Sequence, residues 1–142
     1  MDEGPDQPCE EAAEVELPDV GHRPAATAVF TSVANWSTSG LKDIIWRGEK
    51  YLWSKSREFM RFVNAPKAAG ETFELATDIK DEKTRTKFSK AGWRFRSPHD
   101  LSVNYWDYRD YICRSKAEFT VAKDQYVRLN AGWFSDRSAC YL

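Results

Sequence analysis

The sequence predicts an α/β domain built on a doubly wound parallel sheet, and three observations lead there. Short β-branched, apolar runs alternate with helix-length segments, the spacing of βαβ units whose right-handed crossovers lay the strands parallel. Breakers and caps separate them: Asn64 with Pro66, Asp78 or Asp81 ahead of Gly92, and Ser97 with Pro98. The 142 residues are 42% hydrophobic and 14% aromatic, enough apolar material for one core.

Residues 1–26 stand apart from this pattern. They carry eight acids against the single base Arg23, a net charge of −7, and four prolines (Pro5, Pro8, Pro18, Pro24) with no apolar periodicity. Such a segment cannot bury enough surface to offset its ordering entropy and reads as an acidic disordered tail or linker. The remaining twenty bases and fourteen acids give residues 27–142 a net charge of +6, which the whole-chain value of −1 conceals.

Within the body, Thr27–Trp36 is small, β-branched and apolar, a first strand buried on both faces, and Ser37–Gly40 ends it. Glu49–Val63 places Leu52, Ser56, Phe59, Met60 and Val63 on one helical stripe, with Asn64 and Pro66 as the stop. Thr72–Thr77 reads as a second strand. Asp78 or Asp81 then caps a polar helix that runs to Ala91 and stops at Gly92. Trp93–Arg96 is a short third strand ended by Ser97-Pro98. Ser102 caps a helix in which Leu101, Tyr105, Tyr108 and Ile112 share a face, and Asp110 and Arg114 pair at i, i+4. Ala117–Ala122 is the fourth strand. A polar loop follows it, and a last helix starts at Ser135 with eight residues of chain left, about 12 Å of helix.

Several function classes find no support. The first residues lack the basic start and apolar core of a signal peptide, and no apolar run approaches the roughly 18 residues of a membrane span, so a soluble, cytoplasmic protein without a membrane span is expected. Cys9, Cys113 and Cys140 form no CxxC pair and read as reduced thiols. No HExxH, no cysteine–histidine cluster and no spaced acidic loop occurs, so no metal site is expected. There is neither a P-loop nor a GxSxG elbow. Tyr105, Trp106, Tyr108 and Tyr111 interleave with Arg109 and Arg114 at helical spacing, which suits core packing rather than stacking on nucleic acid, and no nucleic-acid partner is expected.

The candidate chemistry collects at the carboxyl ends of the predicted strands, where open α/β sheets bind ligands. Ser135, Asp136, Arg137 and Ser138 open the last helix, where hydroxyls, backbone N–H groups and a bidentate guanidinium would meet a diphosphate. Lys123 directly follows the fourth strand and is placed to neutralise a phosphate. Asn35 and Trp36 end the first strand, one able to hydrogen-bond a ligand and the other to wall the cleft or fill the core. His99 and Asp100 follow the third strand, where nucleotide folds meet base or ribose.

The string from Arg114 through Lys123 to Gly132-Trp133-Phe134-Ser135-Asp136-Arg137-Ser138-Ala139, with Val33-Ala34-Asn35-Trp36 and Gly48–Lys55 upstream, resembles bacterial glycosyltransferase-like proteins of the GT-B fold over residues 28–142. The resemblance implies a partial, Rossmann-like donor-binding domain that holds a nucleotide-diphosphate sugar as substrate, with no separate cofactor. It also implies an acceptor domain and further sheet strands that this chain lacks, an acceptor that is unknown, and inactivity of the chain alone. Where many such enzymes carry a pair of spaced glutamates, Ala131 or Gly132 and Ala139 or Cys140 stand here, so sugar and ribose contacts are not carried over. The competing expectation is a non-catalytic α/β binding or interaction module with an acidic regulatory tail.

Overall fold

A computed structural model describes residues 27–38 and 42–142; the acidic segment expected to be disordered lies outside them. Four strands, β1 (Val29–Val33), β4 (Thr72–Ala76), β5 (Trp93–Arg96) and β6 (Ala117–Glu118), form one parallel sheet in the order β5-β4-β1-β6. The predicted parallel α/β architecture is therefore present. The chain builds from β1 outward through β4 to β5, then crosses back to lay β6 on the other side of β1.

Alternation along the strands divides the side chains between two faces. Phe30, Phe73 and Trp93 lie side by side in register and meet Phe59 of α1 (Ser56–Arg61) and Phe88 of α3 (Glu82–Lys90) in the main core. Phe30 and Phe73 stack with centroids 5.1 Å apart, and the buried Trp93 indole donates to the carbonyl of Val63 at 2.8 Å, so its polar atom is satisfied. The opposite face carries Val33 and Ala76 and is covered by Leu101 of α4 (Pro98–Ser102) and by Tyr108 and Tyr111 of α5 (Tyr105–Arg114). Helices thus cover both faces.

Punctuation explains where the elements begin and end. Asp81 caps α3 by accepting from the Thr84 N–H at 2.9 Å, and Gly92 follows the helix with φ +101°. A Cβ at Gly92 would lie 3.3 Å from that of Pro66, so both the backbone and the contact favour glycine.

Several expected elements differ. The helix predicted from Glu49 is a β-hairpin at its start: β2 (Ile44–Trp46) pairs antiparallel with β3 (Glu49–Tyr51) through the turn Arg47-Gly48, both at positive φ. That two-residue turn matches the twist of a hairpin and overrides the helical stripe until Ser56. Pro66 does not stop a helix but sits in the first turn of a new one, α2 (Ala65–Ala69), where its missing N–H costs nothing. Ser97 and Pro98 likewise open α4, with the Ser97 hydroxyl accepting from the Asp100 N–H at 3.3 Å. Asn104, not Ser102, caps α5, through the Trp106 N–H at 3.0 Å. The fourth parallel strand is two residues long rather than six: its ladder with β1 ends where the Phe119 N–H donates to the Thr31 carbonyl at 2.9 Å. The polar loop expected after it contains a short helix, α6 (Asp124–Arg128). The last helix is a single turn, α7 (Asp136–Ala139).

Among the described residues, no helix is long and apolar enough to cross a membrane.

Candidate functional site

The strand order reverses at β1, with β4 and β5 built outward on one side and β6 laid on the other, and at such a reversal the carboxyl ends of adjacent strands leave a crevice. A cleft of about 700 Å³ lies there, between the residues that follow β1, the extended chain Phe119–Lys123 that follows β6, and the last turn α7.

Three cations border it: Lys55, Lys123 and Arg137. Lys55 directly precedes α1, and its ammonium donates to the Thr120 hydroxyl at 3.0 Å. Burial, followed by the neighbouring Arg137 and Lys123 charges, pulls its pKa down to about 8, against the pull of Glu118. Arg137 is held by the buried Glu118 carboxylate, Nε to Oε1 3.2 Å. Lys123 is also lowered, by burial and then by Lys42, and its ammonium lies 3.2 Å from the Trp53 ring centroid. One carboxylate among three cations leaves the cleft electropositive.

Aromatic rings form the other wall. Tyr126 meets Trp53 edge-on at 6.0 Å and stacks on Trp133 at 5.4 Å, while Trp133 keeps 57% of its surface exposed. Thr31 accepts or donates to the Tyr141 hydroxyl at 2.9 Å and ties the end of α7 to the sheet. Burial raises the Tyr141 phenol above its ordinary range.

The cleft depends on a clamp between distant segments. Asp124, 1% exposed, accepts from the Leu52 N–H at 2.9 Å and pairs with Arg57 at 3.2 Å and Arg128 at 3.6 Å. Gln125 donates to the carbonyls of Lys42 and Tyr51. Together they fasten the segment carrying Trp53 and Lys55 to α6, beside Lys123.

Of the residues singled out in the sequence, Asn35, Lys123, Ser135, Arg137 and Ser138 line this cleft. Asp136 does not; it is exposed in the first turn of α7. Ser135 occupies the N-cap position without a side-chain cap bond, and a one-turn helix has little dipole, so the expected helix-terminus anion site reduces to the Arg137 side chain and neighbouring hydroxyls. Trp36 is a core residue, stacked on Phe59 at 5.9 Å and edge-on to Phe88 at 5.4 Å, rather than a cleft wall. His99 and Asp100 lie in α4 beyond β5, two strands from β1, with 84% and 77% of their side chains exposed. Asp100 borders a separate cavity of about 540 Å³ beneath α5.

Sequence reasoning missed Lys55, absorbed into the predicted helix. A signal was present: Lys55 stands three residues after Leu52 and four before Phe59, an inward position for a lysine on an apolar stripe. Among the described residues, no three His, Cys, Asp or Glu side chains converge as a metal-ligand set would.

The lowered lysine has a consequence for stability. Between about pH 8 and the ordinary lysine value the unfolded chain binds a proton at residue 55 that the folded chain does not, so stability rises with pH across that window. The raised phenols of Tyr108, Tyr111 and Tyr141 act oppositely above about pH 10, where the unfolded chain loses protons first. Thermal melts are expected to show Tm rising from about pH 8 to about pH 9.5 and then falling, with Lys55→Met removing most of the rise.

No family model, curated protein or solved structure matches this chain.

Proposed function

We propose that this chain is a partial, Rossmann-like donor-binding domain of a GT-B glycosyltransferase, which holds a nucleotide-diphosphate sugar for glycosyl transfer in the complete enzyme. The observation that carries the reading is the convergence of Lys55, Lys123 and Arg137 on one aromatic-walled cleft where the strand order reverses. A diphosphate there would meet the cations and the Thr120 and Ser138 hydroxyls, and the free face of Trp133 would take a planar base or a sugar ring. In transfer, charge builds on the departing nucleotide diphosphate, and cations already in place stabilise it without reorganising. The acceptor would come from a second domain, and the cytoplasm, where unpaired thiols stay reduced, is the setting we assign. The competing reading, a non-catalytic interaction module, draws on the exposed apolar hairpin strand Ile44–Trp46.

Titration with UDP, GDP and dTDP at low salt, followed by thermal shift, tests the proposal. Saturable stabilisation by one of them is expected, because a ligand held only by the folded state raises its apparent stability. Lys55→Met is expected to weaken that binding by about 10- to 100-fold, the worth of one charge-assisted hydrogen bond. No shift from a cooperatively folded chain would overturn the donor-site reading and favour the interaction module.

A further inference from the structure

The amine of Lys55 has a chemistry that phosphate neutralisation does not use. It stands half-buried in the cleft, hydrogen-bonded to the Thr120 hydroxyl, with Arg137 and Lys123 beside it and the rings of Trp53, Tyr126 and Trp133 forming the wall. We propose that Lys55 is a carbonyl-reactive lysine and that the cleft takes phosphorylated aldehydes, which condense with its amine to an imine. The inference rests on the cleft itself and not on its occupation by a nucleotide.

Two features of the site support it. A lysine beside other cations and withdrawn from water keeps a larger share of free amine, the form that attacks carbonyls. With its pKa near 8, that share at neutral pH is roughly two orders of magnitude above a solvated lysine's. Arg137 and Lys123 then supply what a bare amine lacks, two cations that hold the ligand's phosphate while its carbonyl carbon lies against Nζ.

The chemistry balances without a redox partner. The Nζ lone pair forms a bond to the carbonyl carbon as the C–O π pair moves onto oxygen, which takes a proton, and the nitrogen gives one up. The resulting carbinolamine hydroxyl is protonated and leaves as water while nitrogen closes the C=N bond, and the iminium nitrogen then releases its remaining proton, which returns the one the hydroxyl took up. The net change is amine plus aldehyde to imine plus water. The adduct would fill the cleft and compete with any other phosphate ligand.

Treating the full chain with pyridoxal 5′-phosphate, reducing with borohydride and mapping the labelled peptides by mass tests the assignment. Residue 55 is expected to label about tenfold faster than any other lysine, and about tenfold faster with pyridoxal 5′-phosphate than with pyridoxal, because the cations concentrate the anionic reagent. Lys55→Arg, which keeps the charge but forms no stable imine, is expected to lose the adduct while the other lysines label as before. Labelling spread evenly over surface lysines, or equal labelling by pyridoxal, overturns the proposal. An adduct at Lys55 that UDP, GDP and dTDP all fail to block leaves the imine assignment standing and removes the nucleotide reading. Stabilisation by a nucleotide with no adduct at Lys55 does the reverse.

Discussion

Phe59→Ala is expected to lower the stability of the fold by about 3–5 kcal/mol, a large part of the 5–15 kcal/mol that holds a domain of ordinary size together. Phe59 is fully buried, and its ring faces Trp36 at 5.9 Å, Trp93 at 6.4 Å and Phe119 at 6.4 Å. Removing it leaves a ring-sized void among rigid aromatic neighbours that cannot collapse into it, so the cavity adds to the lost transfer energy. Urea unfolding followed by tryptophan fluorescence measures the change. A loss below about 1 kcal/mol would mean that this aromatic cluster is not the centre of the core. The site would suffer as well, since Phe59 anchors α1, the helix that Lys55 directly precedes.

Asp124→Ala is expected to cost about 2–3 kcal/mol and to open the cleft. Removing one member of a buried ion pair typically costs 3–5 kcal/mol, because the other charge is left buried and alone. Here the removed group is the buried one, and Arg57 and Arg128 keep 56% and 29% of their side chains exposed, so water can take over their solvation. What remains is the loss of the charge-assisted bonds and of the acceptor for the Leu52 N–H. Asp124→Asn, which keeps an acceptor for that N–H, is expected to cost less. Denaturant melts give the stability, and labelling of residue 55 gives the site: a freed segment lets Lys55 drift from Thr120, and its adduct rate should fall toward that of an ordinary lysine. Unchanged labelling in Asp124→Ala would show that α6 does not position the lysine.

The elements legible in the sequence are those whose signal is local. β1, β4 and β5 announce themselves as β-branched or aromatic runs long enough to cross a core, and α3 carries its own cap at Asp81 and its own stop at Gly92. The parallel pairing follows from their alternation with helices. The elements that were misread are short. Two-residue β6 and five-residue α2, α4 and α6 lie below the length at which periodicity distinguishes helix from strand or loop, and their ends depend on which neighbour satisfies each N–H. At Glu49–Tyr51 a turn at Arg47-Gly48 outweighed a helical stripe that was genuine only further along.

The site divides in the same way. That Lys123, Arg137, Ser135, Ser138 and Asn35 line the cleft was legible because each follows a strand or opens a helix, and chain order places such residues at the carboxyl edge of a parallel sheet. His99 and Asp100 satisfy the same rule yet stand apart, because β5 is the outermost strand and the rule does not say which strand ends border the reversal. By itself, the sequence determined the layered α/β plan and the sheet edge at which the cleft lies, both consequences of apolar period and strand–helix order. Tertiary structure alone decided that Lys55 reaches Thr120 across 65 residues of chain, that Trp36 turns into the core, and that Asp124 ties α6 to Leu52. Those contacts join segments remote in sequence, and their geometry exists only once both are packed against the same sheet.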